Sequence, residues 1–258
     1  VEHLLEVIPR AFQIAEGGRP GPVVIDIPKD IQNETIELNA LPDLPTSATA
    51  NEIAFHDIQK VVEMISSANR PLILAGGGIQ AAGAADSLTQ LAERMEIPVT
   101  TTLMGLGNLP ASHPLNLGML GMHGERSTNM IINQSDLLIA IGARFDDRAT
   151  GKLEGFCPNT RIIHVDIDPA EINKIRNCEL GIISDAGEFL HKLLALAPEK
   201  THPNWIEHIR NIREIHPPLD HASEQHPISL LQRLAEGIGS EPIIVTDVGQ
   251  HQMWTAQA

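Results

Sequence analysis

The stretch Leu-Ile-Leu-Ala-Gly-Gly-Gly-Ile-Gln-Ala at residues 72–81 joins a short apolar run to a glycine-rich turn. The apolar run has the length and composition of a buried strand, and helical sequence follows the glycines. Glycines allow a backbone to approach a phosphate closely, and the start of the next helix offers free N–H groups to it. Such turns also occur for packing alone, so the pattern permits nucleotide binding without requiring it.

Strand-like runs alternate with helical patterns on both sides of this turn. We predict strands at 72–75, 99–102, 137–141, 162–167 and 180–184, and helices at 56–68, 81–95, 125–134, 169–176 and 187–196. This alternation indicates an α/β fold with a doubly wound, Rossmann-like parallel sheet covered on both faces, spanning residues 53–197.

Partial α/β segments flank the predicted sheet. We predict helices at 2–16, 204–215 and 229–238, strands at 23–27 and 243–246, and linkers at 33–52 and 198–227. The chain begins inside a helical pattern and ends soon after a predicted strand. We therefore expect an internal piece of a longer protein, without a signal peptide. Three histidines spaced by five residues in the second linker suit neither a helix face nor a strand face, which favours a solvated linker over a metal site.

The composition argues against nucleic-acid binding, a membrane span and a disulfide framework. The formal net charge is -15 over 258 residues and no run of Lys or Arg occurs, which argues against nucleic acid. No apolar run approaches the roughly 20 residues that span a bilayer. Two cysteines, Cys157 and Cys178, are too few for a disulfide framework and favour a reducing compartment.

Ligands of open parallel sheets bind at the carboxyl ends of the strands. Arg144 and Arg148, after strand 137–141, would place positive charge near a diphosphate, or would form surface ion pairs with the two aspartates between them. Asp166 at the end of strand 162–167 is placed to accept hydrogen bonds from a ribose. No acid follows strand 99–102, which disfavours a standard NAD site. The Met- and Gly-rich residues 117–124 suit either a flat ring or a buried loop.

Five motifs, taken together, carry a resemblance to a known family. They are GRPGPV at 18–23, GMLGMHG at 118–124, GARFDDR at 142–148, HVDIDP at 164–169 and DVGQHQMW at 247–254. Their order and spacing along nearly the whole chain closely resemble the large catalytic subunit of acetohydroxyacid (acetolactate) synthase, most of all the bacterial type. The resemblance implies a pyrimidine-binding domain ending at 1–32, a linker at 33–52, a central FAD domain at 53–197, a linker at 198–227 and the start of a diphosphate-binding domain at 228–258.

The resemblance also implies an activity and its cofactors. The family condenses two 2-ketoacids, pyruvate with pyruvate or 2-ketobutyrate, with loss of carbon dioxide, in the biosynthesis of branched-chain amino acids such as isoleucine and valine. It uses thiamine diphosphate and magnesium, and FAD with a structural role. The full-length large subunit forms a homodimer and pairs with a small regulatory subunit, and the family is cytoplasmic.

Site residues are carried over by position in the motifs. Lys29 resembles a lysine at the mouth of the substrate channel. The residues that resemble cofactor contacts are Arg19, Gly76, Gly77, Gly78, Thr102, Leu103, Leu120, Gly121, Met122, His123, Gly142, Ala143, Arg144, Arg148, Asp166, Ile167, Asp185, Gly249, Gln250 and His251. We expect the loops of the central domain among them to share one cleft.

Two functional elements of the family fall outside these 258 residues. The activating glutamate lies upstream of Val1, and the Gly-Asp-Gly…Asn magnesium motif lies downstream of Ala258. No catalytic residue or metal ligand is therefore assigned, and we predict that the isolated chain is inactive as a synthase. The alternatives are a related thiamine-diphosphate enzyme (glyoxylate carboligase or pyruvate oxidase), an NAD-dependent dehydrogenase domain, and a non-catalytic module that binds the regulatory subunit.

Overall fold

A parallel sheet of six strands organises the larger part of the chain. The computed structural model describes residues 1–37, 53–217, 226–239 and 243–258. The strands are β1 Pro71–Ala75, β2 Val99–Thr101, β3 Asn116–Met119, β4 Leu137–Ile141, β5 Arg161–Asp166 and β6 Leu180–Ile183. They are ordered β3-β2-β1-β4-β5-β6 and every neighbouring pair is parallel, which confirms the predicted doubly wound α/β fold.

The chain separates into two compact units, Val1–Glu52 and Ile53–Ala258. The described helices of the first unit are α1 Leu4–Glu16 and α2 Lys29–Gln32. Those of the second unit are α3 Phe55–Ser67, α4 Gly77–Ala81, α5 Ala85–Met95, α6 Arg126–Ile132, α7 Asp147–Thr150, α8 Ala186–Leu196, α9 Pro203–Ile215, α10 Pro227–Ile238 and α11 Gln250–Gln257. Within the described ranges, no helix has the length and apolar content needed to cross a membrane.

The two faces of the sheet carry separate cores. Alternate residues of a strand point to opposite faces, so Ile73 and Ile139 join the apolar residues of α3, α5 and α8. Leu72 and Leu138 face the other way and join those of α6 and α9. All residues of β1 and β4 are buried, because helices cover both faces. The continuous apolar runs of these strands follow directly from that burial.

Helix α9 belongs to the packed body of the second unit. Trp205 is 2% exposed, and its indole N–H donates to the carbonyl of Pro71 at 3.0 Å. Ile209 and Ile212 of the same helix are also buried against the sheet. The helix predicted at 204–215 is therefore confirmed as α9. Its packing against the sheet was not predicted, because the region around it is interrupted by His and Pro and was assigned as a linker at 198–227.

Several predicted elements differ from the structure. Residues 23–27 and 243–246 contain no strand, because nothing in the described ranges pairs with their backbones, and Val24 and Ile243 are more than 90% exposed. Residues 169–176 form turns instead of a helix, and the helix predicted at 81–95 begins at Ala85 as α5, after the separate short helix α4. The break falls at Gly83, whose φ of +63° is left-handed. Strand β3 was not predicted. Parts of both predicted linkers, 38–52 and 218–225, lie outside the described residues.

Candidate functional site

The backbones after β1 and β4 meet at the point where the strand order reverses. The two strands pair in register up to Ala75 and Ile141, so both end at the same edge of the sheet. The N–H of Gly76 donates to the carbonyl of Ile141 at 2.9 Å, and that of Gly78 to the carbonyl of Gly142 at 3.2 Å. A Cβ on Gly76 would lie 2.0 Å from the Gly142 oxygen. These glycines therefore permit a direct approach of two backbones, and two of their N–H groups are already hydrogen-bonded within the protein.

The turn after β2 closes on the same edge. The N–H of Thr102 donates to the carbonyl of Ala75 at 3.1 Å, and a tight turn at Leu103–Gly105 follows. A Cβ on Gly105 would lie 2.1 Å from the Ala75 oxygen. Thr102 and Leu103 are half-buried. The loops after β1 and β2 are thus in contact.

The Met- and Gly-rich loop after β3 contacts the loop that carries the arginines. The N–H of Leu120 donates to the carbonyl of Thr101 at 3.1 Å, and that of Met122 to the carbonyl of Arg148 at 2.8 Å. A Cβ on Gly121 would lie 2.3 Å from the same Arg148 oxygen. The Arg148 guanidinium lies 3.6 Å from the Met122 sulfur. Two motifs with 17 residues between them therefore come together at this edge.

The segment Gly142–Arg148, which we call the arginine loop, is anchored on β5. His164 is 1% exposed, and its Nε2 lies 2.8 Å from the carbonyl oxygen of Ala143. The His164 ring packs edge-on against Phe145 at a centroid distance of 4.9 Å. Burial lowers the pKa of His164, against the smaller opposing effects of the Ala143 carbonyl and two nearby carboxylates. Arg144 and Arg148 themselves are exposed.

The carboxylates after β5 and β6 already have structural roles. Asp166 is buried, and its Oδ1 accepts from the N–H of Asp168 at 2.9 Å. Its carbonyl accepts from the N–H of Ser184, which joins the ends of β5 and β6. Asp185 is the N-cap of α8 and accepts two N–H groups of the first helical turn, at 2.8 and 3.1 Å. Ile167 is half-buried.

Five of the predicted residues belong to other parts of the chain. Arg19 and Lys29 are exposed and belong to the unit Val1–Glu52. Gly249, Gln250 and His251 lie at the start of α11 and are exposed. Their roles remain predictions.

A cavity of about 1260 Å³ lies beside the edge strand β3. It is lined by β3, α6 and the ends of α9, α10 and α11. His123 is the predicted cofactor residue that lines it, and the His123 carbonyl accepts from the Gln257 side chain at 2.9 Å. Gly76–Gly78 and Arg144 do not line this cavity. We expected the predicted cofactor loops of the central domain to share one cleft. These loops lie at one edge of the sheet, but this cavity is not that shared cleft.

Two asparagines that were not predicted from the sequence stabilise the loops at the carboxyl edge of the sheet. The Asn129 side chain accepts from the N–H of Gly121 at 2.8 Å and donates to the Gly121 carbonyl at 2.9 Å. Buried Asn108 donates to the carbonyl of Gly76 at 3.0 Å. Each asparagine fixes a loop that is distant in sequence, and no local pattern announces such a contact.

Together these features define a Rossmann-like, doubly wound α/β domain whose predicted cofactor loops lie at the carboxyl edge of its sheet. A family described as "Thiamine pyrophosphate enzyme, central domain" matches residues 58–193, which is more than half of the chain. The chain belongs to the thiamine pyrophosphate enzyme family and contains its central domain.

Similar proteins narrow this family further. The chain is 47% identical to the acetolactate synthase isozyme 1 large subunit of Escherichia coli, over 100% of the chain and 46% of that protein. It is 42% identical to a probable acetolactate synthase large subunit of Methanocaldococcus jannaschii, over 99% of the chain and 46% of that protein. It is 41% identical to the acetolactate synthase large subunit of Corynebacterium glutamicum, over 98% of the chain and 42% of that protein. The chain thus spans about half the length of these relatives, and the resemblance found in the motifs is confirmed.

Proposed function

We propose that this chain is the FAD-binding part of an acetolactate synthase large subunit. The observation that carries the proposal is the meeting of the loop at Gly76–Gly78 with Gly142 at the reversal of strand order, directly before Arg144. Ligands of doubly wound sheets bind outside the carboxyl ends of the strands at this point. Similarity to acetolactate synthase large subunits along the whole chain supports the same assignment.

The residues at this edge fit a dinucleotide in two ways. Gly76, Gly78 and Gly142 pack their backbones directly against one another, which fixes the two strand ends that a dinucleotide would contact at this edge. Arg144 and Arg148 supply exposed positive charge in a chain of net charge -15, which suits a diphosphate. Bound FAD would have a structural role, and the chain's own residues would only hold it.

For the longer protein we propose the condensation of two 2-ketoacids with loss of carbon dioxide, in branched-chain amino-acid biosynthesis. Thiamine diphosphate with magnesium supplies the electron sink for decarboxylation when bound, and Gly249, Gln250 and His251 would contribute to its site. Lys29 would lie at the substrate channel. Neither the activating glutamate nor the magnesium motif of the family occurs in these 258 residues, so we predict no synthase activity for this chain alone.

The domain division and the partners follow from the same proposal. The segments 1–32 and 228–258 would belong to the pyrimidine- and diphosphate-binding domains. A homodimer of the longer subunit and a small regulatory subunit are the proposed partners. A cytoplasmic location is proposed as well, and two cysteines without a disulfide agree with it.

Titration of FAD with the full 258-residue chain, followed by flavin fluorescence, tests the cofactor assignment. We expect saturable binding, weakened about tenfold by Arg144→Ala because a charged partner of the diphosphate is lost. The matched control is Arg70→Ala, an exposed arginine directly before β1 at the opposite edge of the sheet. Absence of saturation, or equal effects of the two substitutions, would contradict the assignment. Competition by NADH as strong as by FAD would favour the dehydrogenase alternative.

A further inference from the structure

The buried imidazole of His164 holds a single, defined proton. Its Nε2 lies 2.8 Å from the Ala143 carbonyl oxygen, which can only accept a hydrogen bond. The proton is therefore on Nε2. The other nitrogen, Nδ1, is buried and has no hydrogen-bond partner in the described part of the chain. The ring contributes one directed N–H donor, and its target is the backbone of the arginine loop.

The arginine loop departs from ordinary backbone geometry on either side of that hydrogen bond. Gly142 has a φ of +59° and Phe145 a φ of +55°. A left-handed conformation is unfavourable for phenylalanine, so tertiary contacts must stabilise it. Phe145 is 2% exposed and lies between two rings, that of His164 at 4.9 Å and that of Phe156 at 6.1 Å.

His164 thus contacts the loop at two points that flank Arg144. Its Nε2–H binds the carbonyl of Ala143, and its ring packs against Phe145. Arg144 lies between these two anchors in sequence, with an exposed side chain, whereas His164 is buried and has no route to a ligand in solvent. Any effect of His164 on a bound anion therefore passes through the loop.

We propose that His164 is a positioning residue that fixes the arginine loop so that Arg144 is held ready at the carboxyl edge of the sheet. The proposal rests on the proposed FAD site and adds the residue that shapes it. The proposal distinguishes His164 from an ordinary core residue, because replacing a core residue lowers only the stability of the fold. Replacing a positioning residue also lowers the affinity for the ligand, and it does so only while Arg144 is present.

The first test uses four variants of the full chain, His164→Leu, His164→Gln, Arg144→Ala and the double variant His164→Leu/Arg144→Ala, and measures the Kd for FAD by flavin fluorescence. His164→Leu removes the donor, and His164→Gln restores an N–H donor at about the reach of Nε2. We expect His164→Leu to raise the Kd about tenfold and His164→Gln to recover most of that loss. The double variant His164→Leu/Arg144→Ala should bind no more weakly than Arg144→Ala alone, since the two residues act through one interaction. Additive effects of the two substitutions would overturn the proposal.

The second test needs no ligand. Trypsin cleaves after arginine, so a loosened loop should be cut faster at Arg144 in His164→Leu, with His164→Gln close to the parent. Lys60, an exposed residue of α3 on the other face of the sheet, is the internal control, because global unfolding would accelerate cleavage at both positions. Unchanged cleavage at Arg144, or parallel acceleration at both positions, would overturn the proposal. Faster cleavage at Arg144 alone, in a parent that binds no FAD, would instead uphold the role of His164 in the loop and reject the FAD site.

Discussion

Replacing Gly76 with alanine should destabilise the unit Ile53–Ala258 more than the ordinary backbone conformation of Gly76 would indicate. Gly76 has a φ of -99°, which any residue adopts, so the substitution introduces no backbone strain. The new Cβ would nevertheless lie 2.0 Å from the Gly142 oxygen and 2.8 Å from the Ala143 Cα. Both are backbone atoms, so no side chain can rotate away and the two loops must separate.

Two further glycines make the magnitude testable. Gly83→Ala introduces a left-handed alanine at a φ of +63° in open space, which costs about 1 kcal/mol. Gly76→Ala introduces overpacking alone, which costs about 3 kcal/mol where backbone must move. Gly142→Ala combines a φ of +59° with a Cβ 2.5 Å from the Gly78 Cα, and should cost about 4 kcal/mol.

Urea denaturation of the three variants and the parent, followed by circular dichroism, measures the free energies of unfolding. The expected order of loss is Gly142→Ala, then Gly76→Ala, then Gly83→Ala. If Gly76→Ala lost no more stability than Gly83→Ala, the two strand ends would not be in the close contact described, and the reasoning about the glycine turn would fail.

Three other outcomes follow from the packing of the second unit. Trp205→Ala should lower the free energy of unfolding by about 3–5 kcal/mol in the same assay, because a buried ring and its hydrogen bond to the first residue of β1 are lost; a loss below about 1 kcal/mol would contradict the packing of α9. A thiol reagent at pH 8 should modify Cys178 well before Cys157, because Cys178 is only half-buried whereas Cys157 is fully buried and burial raises its pKa to about 12. Mass spectrometry of the native chain would show this, and equal rates would refute it. Burial also lowers the pKa values of His164 and His202 below 6.5, so the unfolded chain binds more protons than the folded chain below that pH. Stability from these groups is complete above pH 6.5 and is lost as the pH falls toward the folded pKa values; urea midpoints that stay constant from pH 7 to pH 5 would contradict it.

The sequence was most informative where burial is complete. The fully apolar residues of β1 and β4 could be assigned as strands because helices cover both of their faces. Strand β3 escaped prediction because it has four residues, of which only Leu117 and Met119 are buried, and it contains a glycine. Residues 23–27 and 243–246 have strand composition but no described pairing partner, and composition cannot supply one.

The site was predictable only in part for a related reason. Strand ends could be located, so the loops at the carboxyl edge could be named in advance. The contacts that shape them join distant segments, as between Asn129 and Gly121 or between His164 and Ala143. Such contacts depend on the packed sheet. The acidic residue Asp185 illustrates the converse, since its capping of α8 accounts for its position without any ligand.

The hydrogen bond from Trp205 to Pro71 spans 134 positions of the chain. The part of this face that α9 covers therefore stays open during synthesis until α9 has left the ribosome, after all six strands have been made. Contacts between residues so far apart in the sequence slow folding. Until α9 is made, the nascent sheet exposes an apolar surface that chaperones can bind. An expression product that stops at residue 197 would keep that surface permanently, so any shortened form of this unit must extend at least to the end of α9.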